Sequence, residues 1–148
     1  MPTDHLVTDP AVRCEIESLI MEHSWMLDHH RSDRLGDLYT QDGRLTGLGG
    51  TRIGREAISK YGQERAKMTT RAARHVNTNI RLVKEGPKRV RGICSIMLLR
   101  HDGEGMGTAD PIALADAEDV FVQGDDGHWR FEHRHLVLRF ESAAHSSK

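Results

Sequence analysis

The sequence predicts an α+β domain, with helices from the front half lying against one face of a curved antiparallel sheet built from the back half. Three observations point there. Apolar residues in the front half recur at the three-to-four spacing of helices. Four long strand-like segments then follow one another, joined by "EGPK" and "QGDDGH", whose Gly, Pro and Asp are hairpin chemistry. Helices first and consecutive strands afterwards favour segregated layers over βαβ units.

The first helix starts at "TDPAV", with Thr8 or Asp9 as N-cap and Pro10 in the first turn. Val12, Ile16, Leu19, Ile20, His23, Leu27 and His30 define its core face. A second seam, Cys14, Ser18, Met21, Trp25 and Asp28, predicts protection on another side, with Asp28 at its end. "SDRLGDLYTQDGRL" reads as a short helix closed by a turn at Asp42-Gly43. A short strand, a Gly49-Gly50 turn and a helix over "IGREAISKYGQERAKM" follow.

The strands are "RHVNTNIRLVKE", "KRVRGICSIMLLRH", "PIALADAEDVFVQ" and "HWRFEHRHLVLRF". In the first, period two puts Val76, Ile80 and Leu82 on one face and His75, Asn77 and Asn79 on the other. In the last, Trp129 and Phe131 share one phase, whereas Leu136, Leu138 and Phe140 share the opposite one. A bulge near His133–His135 explains the switch, as does a strand covered on both faces. The glycine-containing loop "HDGEGMGTADP" is expected to be mobile, and the polar tail 142–148 to be flexible.

The 148 residues fit a single domain, 1–148, with its core over about 10–140. A net charge of −1 and scattered Lys and Arg exclude a nucleic-acid or anionic-membrane surface. No apolar run nears the ~20 residues of a membrane span, and "MPTDHLVTDP" is not a secretory leader. Two cysteines, Cys14 and Cys94, form no disulfide framework or zinc spacing, so a reduced cytoplasmic setting is expected.

Ten histidines dominate the candidate chemistry. Asp28 and His75 form a possible pair: a carboxylate on one ring nitrogen fixes the tautomer and leaves the other as a base near neutral pH. The spacing between them does not require that they meet. A helix-end Asp and a strand-edge His that never touch is the alternative.

His133 and His135 share a strand face and suit a transition metal, but no Cys or carboxylate set supports them. A surface stripe is the plainer reading, and no metal is expected. Asp116 and Glu118 read either as members of a polar cluster with these histidines or as solvated acids. Arg134, between apolar segments, reads as an inward guanidinium that holds an anion, or as the partner of Asp116, Glu118 or Asp119. A nucleophile elbow, a phosphate loop and a dinucleotide fingerprint are all missing, so no cofactor is expected.

The order and spacing of "WMLDHHRSDRLGDLYTQDGRL", "IGREAI", "RHVNTNIRL" and "GHWRFEHRHLVL" resemble the SnoaL-like branch of the nuclear transport factor two-like superfamily. They are most similar to the group of scytalone dehydratase, lindane dehydrochlorinase and ring-hydroxylating dioxygenase β subunits. The resemblance implies a cone-shaped sheet, the cystatin-like α+β roll, wrapped around the first helix and an apolar pocket. It implies His75 as general base, Asp28 as its orienting carboxylate and Arg134 on the departing group, in a cofactor-independent lyase or isomerase. The tyrosines that activate a carbonyl in scytalone dehydratase have no clear counterpart, because the chain has only Tyr39 and Tyr61. Trp25, Leu27, Met97 and Leu99 are the expected pocket residues, with Asn79 or His133 as an assisting donor. The expected ligand is a small apolar metabolite or xenobiotic, and a homodimer or homotrimer is expected through the second sheet face. The similarity to dioxygenase β subunits carries the alternative of a non-catalytic structural subunit or binding module.

Overall fold

Helix α1, Pro10–Asp28, begins at its predicted cap. In the computed structural model, which describes residues 5–47 and 49–143, the Asp9 carboxylate accepts from the backbone N–H groups of Ala11 at 2.9 Å and Val12 at 3.5 Å. The core face is the predicted one: Ile16, Ile20, His23 and Leu27 are buried. Each apolar member contributes about 1.5–3 kcal/mol by leaving water.

The second seam does not form. Cys14 and Ser18 are exposed, and Met21 and Trp25 are 55% and 48% exposed. The reason is that α1 lies on the sheet along one side only, against strands β3, Arg71–Gly86, and β6, Trp129–Glu141, so the opposite side meets water. Asp28 alone of that seam is buried, where α1 runs into β3. His30, at φ 58°, takes the left-handed conformation that stops the helix.

A 3₁₀ segment, Ser32–Leu38, leads into β1, Tyr39–Gly47. The turn predicted at Asp42-Gly43 is absent. The strand runs through it as an irregularity, its register with β6 slipping between Tyr39 and Arg44. Strand β2, Gly50–Ile53, returns along β1, and α2, Arg55–Ala66, packs on the 3₁₀ segment.

Four long strands complete the sheet: β3, Arg71–Gly86; β4, Arg89–Asp102; β5, Ala113–Gln123; and β6, Trp129–Glu141. The order is β2-β1-β6-β5-β4-β3. Neighbours are antiparallel except β1 and β6, which run parallel. The α+β class and the curved sheet against N-terminal helices are as predicted; the sheet is open, and the parallel β1–β6 pair departs from the antiparallel sheet expected. No described helix is long and apolar enough to cross a membrane.

Two irregularities set which residues face the helices. In β3 the register against β4 slips between Thr78 and Arg81, and Asn79 sits at φ 55°. Ala73, His75 and Asn77 therefore face inward before the slip, and Ile80 and Leu82 after it, while Val76 is 43% exposed. The single face expected for Val76, Ile80 and Leu82 is thus broken by the bulge. In β6 the extra residue is Glu132, since Phe131 pairs with Phe121 and His133 with Val120. This one-residue slip turns Trp129, Phe131, Arg134 and Leu136 to the same side. Beyond β6, the Ser142 N–H donates to the Ile112 carbonyl at 2.9 Å, so the predicted loose tail does not start there. Its last part, 144–148, lies outside the described residues.

Candidate functional site

Between α1, α2 and the inner face of the sheet lies a cavity of about 350 Å³. Its walls are largely apolar: Leu27 of α1, Leu45 of β1, Ile96 and Leu98 of β4, and Leu136 of β6. The end of α1 and the bulged half of β3 bring Asp28 and His75 together there. The His75 backbone N–H donates to Asp28 Oδ2 at 2.8 Å, and the ring Nδ1 lies 2.6 Å from Asp28 Oδ1. Asp28 is buried, and the His75 side chain is 20% exposed. A carboxylate on Nδ1 makes that nitrogen the N–H donor. Nε2, which has no other partner among the described residues, then carries the lone pair, and His75 lines the cavity.

Arg134 reaches the same cavity from β6 and is 1% exposed. Its nearest carboxylate is Asp119 on the neighbouring strand, with Nε 3.5 Å from Oδ1. The geometry is poor for hydrogen bonding: Nε, Nη1 and both Asp119 oxygens lack a hydrogen-bond partner among the described residues. Burial pushes the Asp119 carboxyl up to about 6 against the pull of Arg134. The guanidinium is thus a cation with free donors in a low-dielectric wall.

His23 was legible only as a core residue, yet it lines the cavity too. Its Nε2 lies 2.9 Å from the Tyr39 hydroxyl. Burial first, then the charges of Arg134 and His75, hold His23 well below the usual imidazole range. Burial likewise holds Tyr39 above the usual phenol range, so it keeps its proton. Tyr39 is fully buried, and this is its hydroxyl's one hydrogen bond among the described residues. The hydroxyl therefore donates to Nε2, because the reverse bond would orphan a buried O–H. His23 then carries its proton on Nδ1, a neutral donor beside the dyad. Ser24, also lining the cavity, accepts from Asn77 Nδ2 at 2.9 Å and ties α1 to β3.

The other expected pocket residues lie elsewhere. Trp25 stacks on His29 at the outer side of α1, ring centroids 4.9 Å apart. The parity of β4 is opposite to that expected, so Met97 and Leu99 face away and Ile96 and Leu98 line the cavity. Asn79 is exposed at the bulge. His133 and His135 stack on the outer sheet face, rings 5.8 Å apart, with His133 3.3 Å from the Thr46 hydroxyl. Asp116 is held by Arg139 at 2.7 Å, and Glu118 lies 3.9 Å from His135. Among the described residues no group of three or more His, Cys, Asp or Glu side chains is placed to hold a metal.

The fold is shared with proteins of known structure. A candidate scytalone dehydratase from Novosphingobium aromaticivorans superposes with a TM-score of 0.76 at 20% identity, over 89% of this chain and 87% of that one. LinA superposes at 0.72 with 25% identity, over 90% of each chain. ActVI-ORFA from Streptomyces coelicolor superposes at 0.74 with 16% identity, over 86% of this chain and 97% of the other. No curated protein matches the sequence. The sequence model of the SnoaL-like domain matches residues 3–135.

Proposed function

Because the chain belongs to the SnoaL-like domain family, we propose that it is a cofactor-independent lyase or isomerase acting on a small, largely apolar molecule. The observation that carries the reading is the doubled Asp28–His75 contact at the wall of an apolar cavity. His75 Nε2 removes a proton from a carbon next to an activating group. Asp28 holds the ring by Nδ1 and by the backbone N–H, and stabilises the imidazolium that forms. Arg134 stabilises the developing anion, either a departing group or an enolate oxygen, in a wall where water does not compete. His23 adds a neutral N–H that a substrate oxygen can accept. In an elimination the electron pair of the broken C–H bond forms the new double bond as the leaving group departs. In an isomerisation His75 returns the proton to another carbon.

The test is a panel of halogenated cyclohexanes, β-hydroxy ketones and cyclic enones in D₂O, followed by mass spectrometry for deuterium uptake, water loss or halide release. At least one class is turned over, and His75→Ala lowers that rate about 10²–10⁴-fold. A variant within a few-fold of the wild type overturns the mechanism. Panel members that bind but never exchange a proton support instead a binding module of the dioxygenase β-subunit kind.

A further inference from the structure

The mouth of the cavity carries a charge that an apolar substrate does not explain. Arg52 of β2, Arg65 in the last turn of α2, Arg71 at the start of β3 and Arg100 near the end of β4 all line it. Two of them already have a carboxylate. Asp102 accepts from Arg71 at 2.6 and 3.3 Å and from Arg100 at 3.1 and 2.6 Å. These bonds hold its carboxyl well below the usual range.

Arg52 and Arg65 differ. Arg52 lies over the Tyr61 ring, 4.0 Å from its centroid, with one bond to the Gly49 carbonyl at 3.4 Å. Arg65 donates to the Met68 sulfur at 3.3 Å. Neither is within ion-pair distance of a carboxylate among the described residues. Glu141, at the end of β6, also lines the cavity. With it and Asp102 counted, four arginines face two carboxylates among the described residues.

An apolar ligand entering this mouth strips water from two guanidinium groups and returns nothing. A ligand bearing an oxyanion instead converts both into charge-assisted, fork-like hydrogen bonds. The aromatic ring under Arg52 strengthens the case, since stacking holds the guanidinium plane in place and leaves its edge free to bind. We infer that the ligand is an amphiphilic anion, its apolar body held between Ile96, Leu98 and Leu136 and its carboxylate or comparable oxyanion held by Arg52 and Arg65. This rests on the reading of the cavity as the substrate site and narrows the substrate class from apolar molecules to apolar acids. Arg134 stays free for charge that develops during reaction, because the resident negative charge is bound at the mouth.

Two fluorescent probes with one apolar body separate the two readings: 1-anilinonaphthalene-8-sulfonate, which is anionic, and N-phenyl-1-naphthylamine, which lacks the sulfonate. Titrated into the intact protein, the anionic probe binds more tightly. The double variant Arg52→Gln/Arg65→Gln weakens it about tenfold and leaves the neutral probe unchanged. Arg52→Lys/Arg65→Lys, which keeps the charge, recovers part of the loss. Leu98→Trp, which fills the cavity, removes binding of both probes. Equal affinity of the two probes, or an anionic preference that survives the double Gln variant, overturns the proposal and leaves the site reading standing. Failure of both probes to bind, or binding that survives Leu98→Trp, overturns the use of this cavity and the site reading with it.

Discussion

Asp28 has two jobs that separate by substitution. One oxygen accepts from the His75 backbone N–H and the other from the ring. Asp28→Ala leaves that backbone donor without its partner in a part-buried place, so it costs about 1–3 kcal/mol of stability by chemical denaturation. Asp28→Asn keeps an acceptor for the backbone and loses the charge. If its amide faces Nδ1, that nitrogen must accept, and the proton moves to Nε2, where a base needs a lone pair. Asn at this position is therefore expected to fold within about 1 kcal/mol of the wild type and to lose about 10²–10⁴-fold in kcat on a proton-abstraction substrate. An Asn variant with full activity removes the tautomer argument. This pair was legible only through resemblance to a family, because no spacing rule joins the end of a helix to a strand residue 47 positions later. His23 was legible as a core residue but not as a cavity residue, for a different reason. Its seam with Ile16, Ile20 and Leu27 is a true core seam, and periodicity does not say which core positions border a cavity.

At the scale of elements, most boundaries of helices and strands followed from capping and turn residues, although the turn expected at Asp42-Gly43 is strand instead, and within the long strands the errors were errors of phase. A half-buried strand read by alternation assumes an unbroken pleat. Asn79 breaks it, so His75 and Leu82 reach the same side although they are an odd number of residues apart. Asn is among the few side chains that tolerate φ 55°. Asn79→Val forces a β-branched residue into that conformation and costs about 1–2 kcal/mol, whereas Asn79→Gly stays within about 1 kcal/mol of the wild type. Thermal melts of the pair check this, and equal melting temperatures refute it. The α2 interface gives a sharper case. A Cβ on Gly62 would lie 1.8 Å from the Ser32 backbone oxygen, and Ser32 Oγ donates to the Gly62 carbonyl at 2.8 Å. Gly62→Ala would gain helix propensity in an isolated helix; here it separates α2 from the 3₁₀ segment and costs more than about 2 kcal/mol. A stabilised Ala variant would show that the contact yields.

At the scale of the molecule, two buried groups on one inner surface oppose each other in their response to pH. His23 is held below the imidazole range, so under acid the unfolded chain binds a proton there that the native state refuses. Its contribution is present above the unfolded imidazole pKa of about 6.5 and is lost as pH falls below it. Asp119 has the reverse sign. Its native carboxyl titrates at about 6 against an ordinary 3.8, so between those values the native state holds the extra proton and stability grows as pH falls. Each group contributes a slope of at most about 1.4 kcal/mol per pH unit. In the wild type the two slopes oppose over the pH range where both act. Asp119→Asn removes the compensating one, and its stability should fall more steeply than that of the wild type as pH drops from 6 towards 4. His23→Gln removes the other, and its stability should fall less steeply over the same range. Urea midpoints at half-unit pH steps give both slopes, and the slopes, rather than the absolute stabilities, carry the test. Both variants also disturb Arg134, whose charge bears on the two groups, but that changes the level of each curve more than its slope. Parallel curves for all three proteins would mean that neither group changes its proton affinity on folding. The charged chemistry proposed for the cavity would then be acting in a wetter interior than the burial of Arg134 implies.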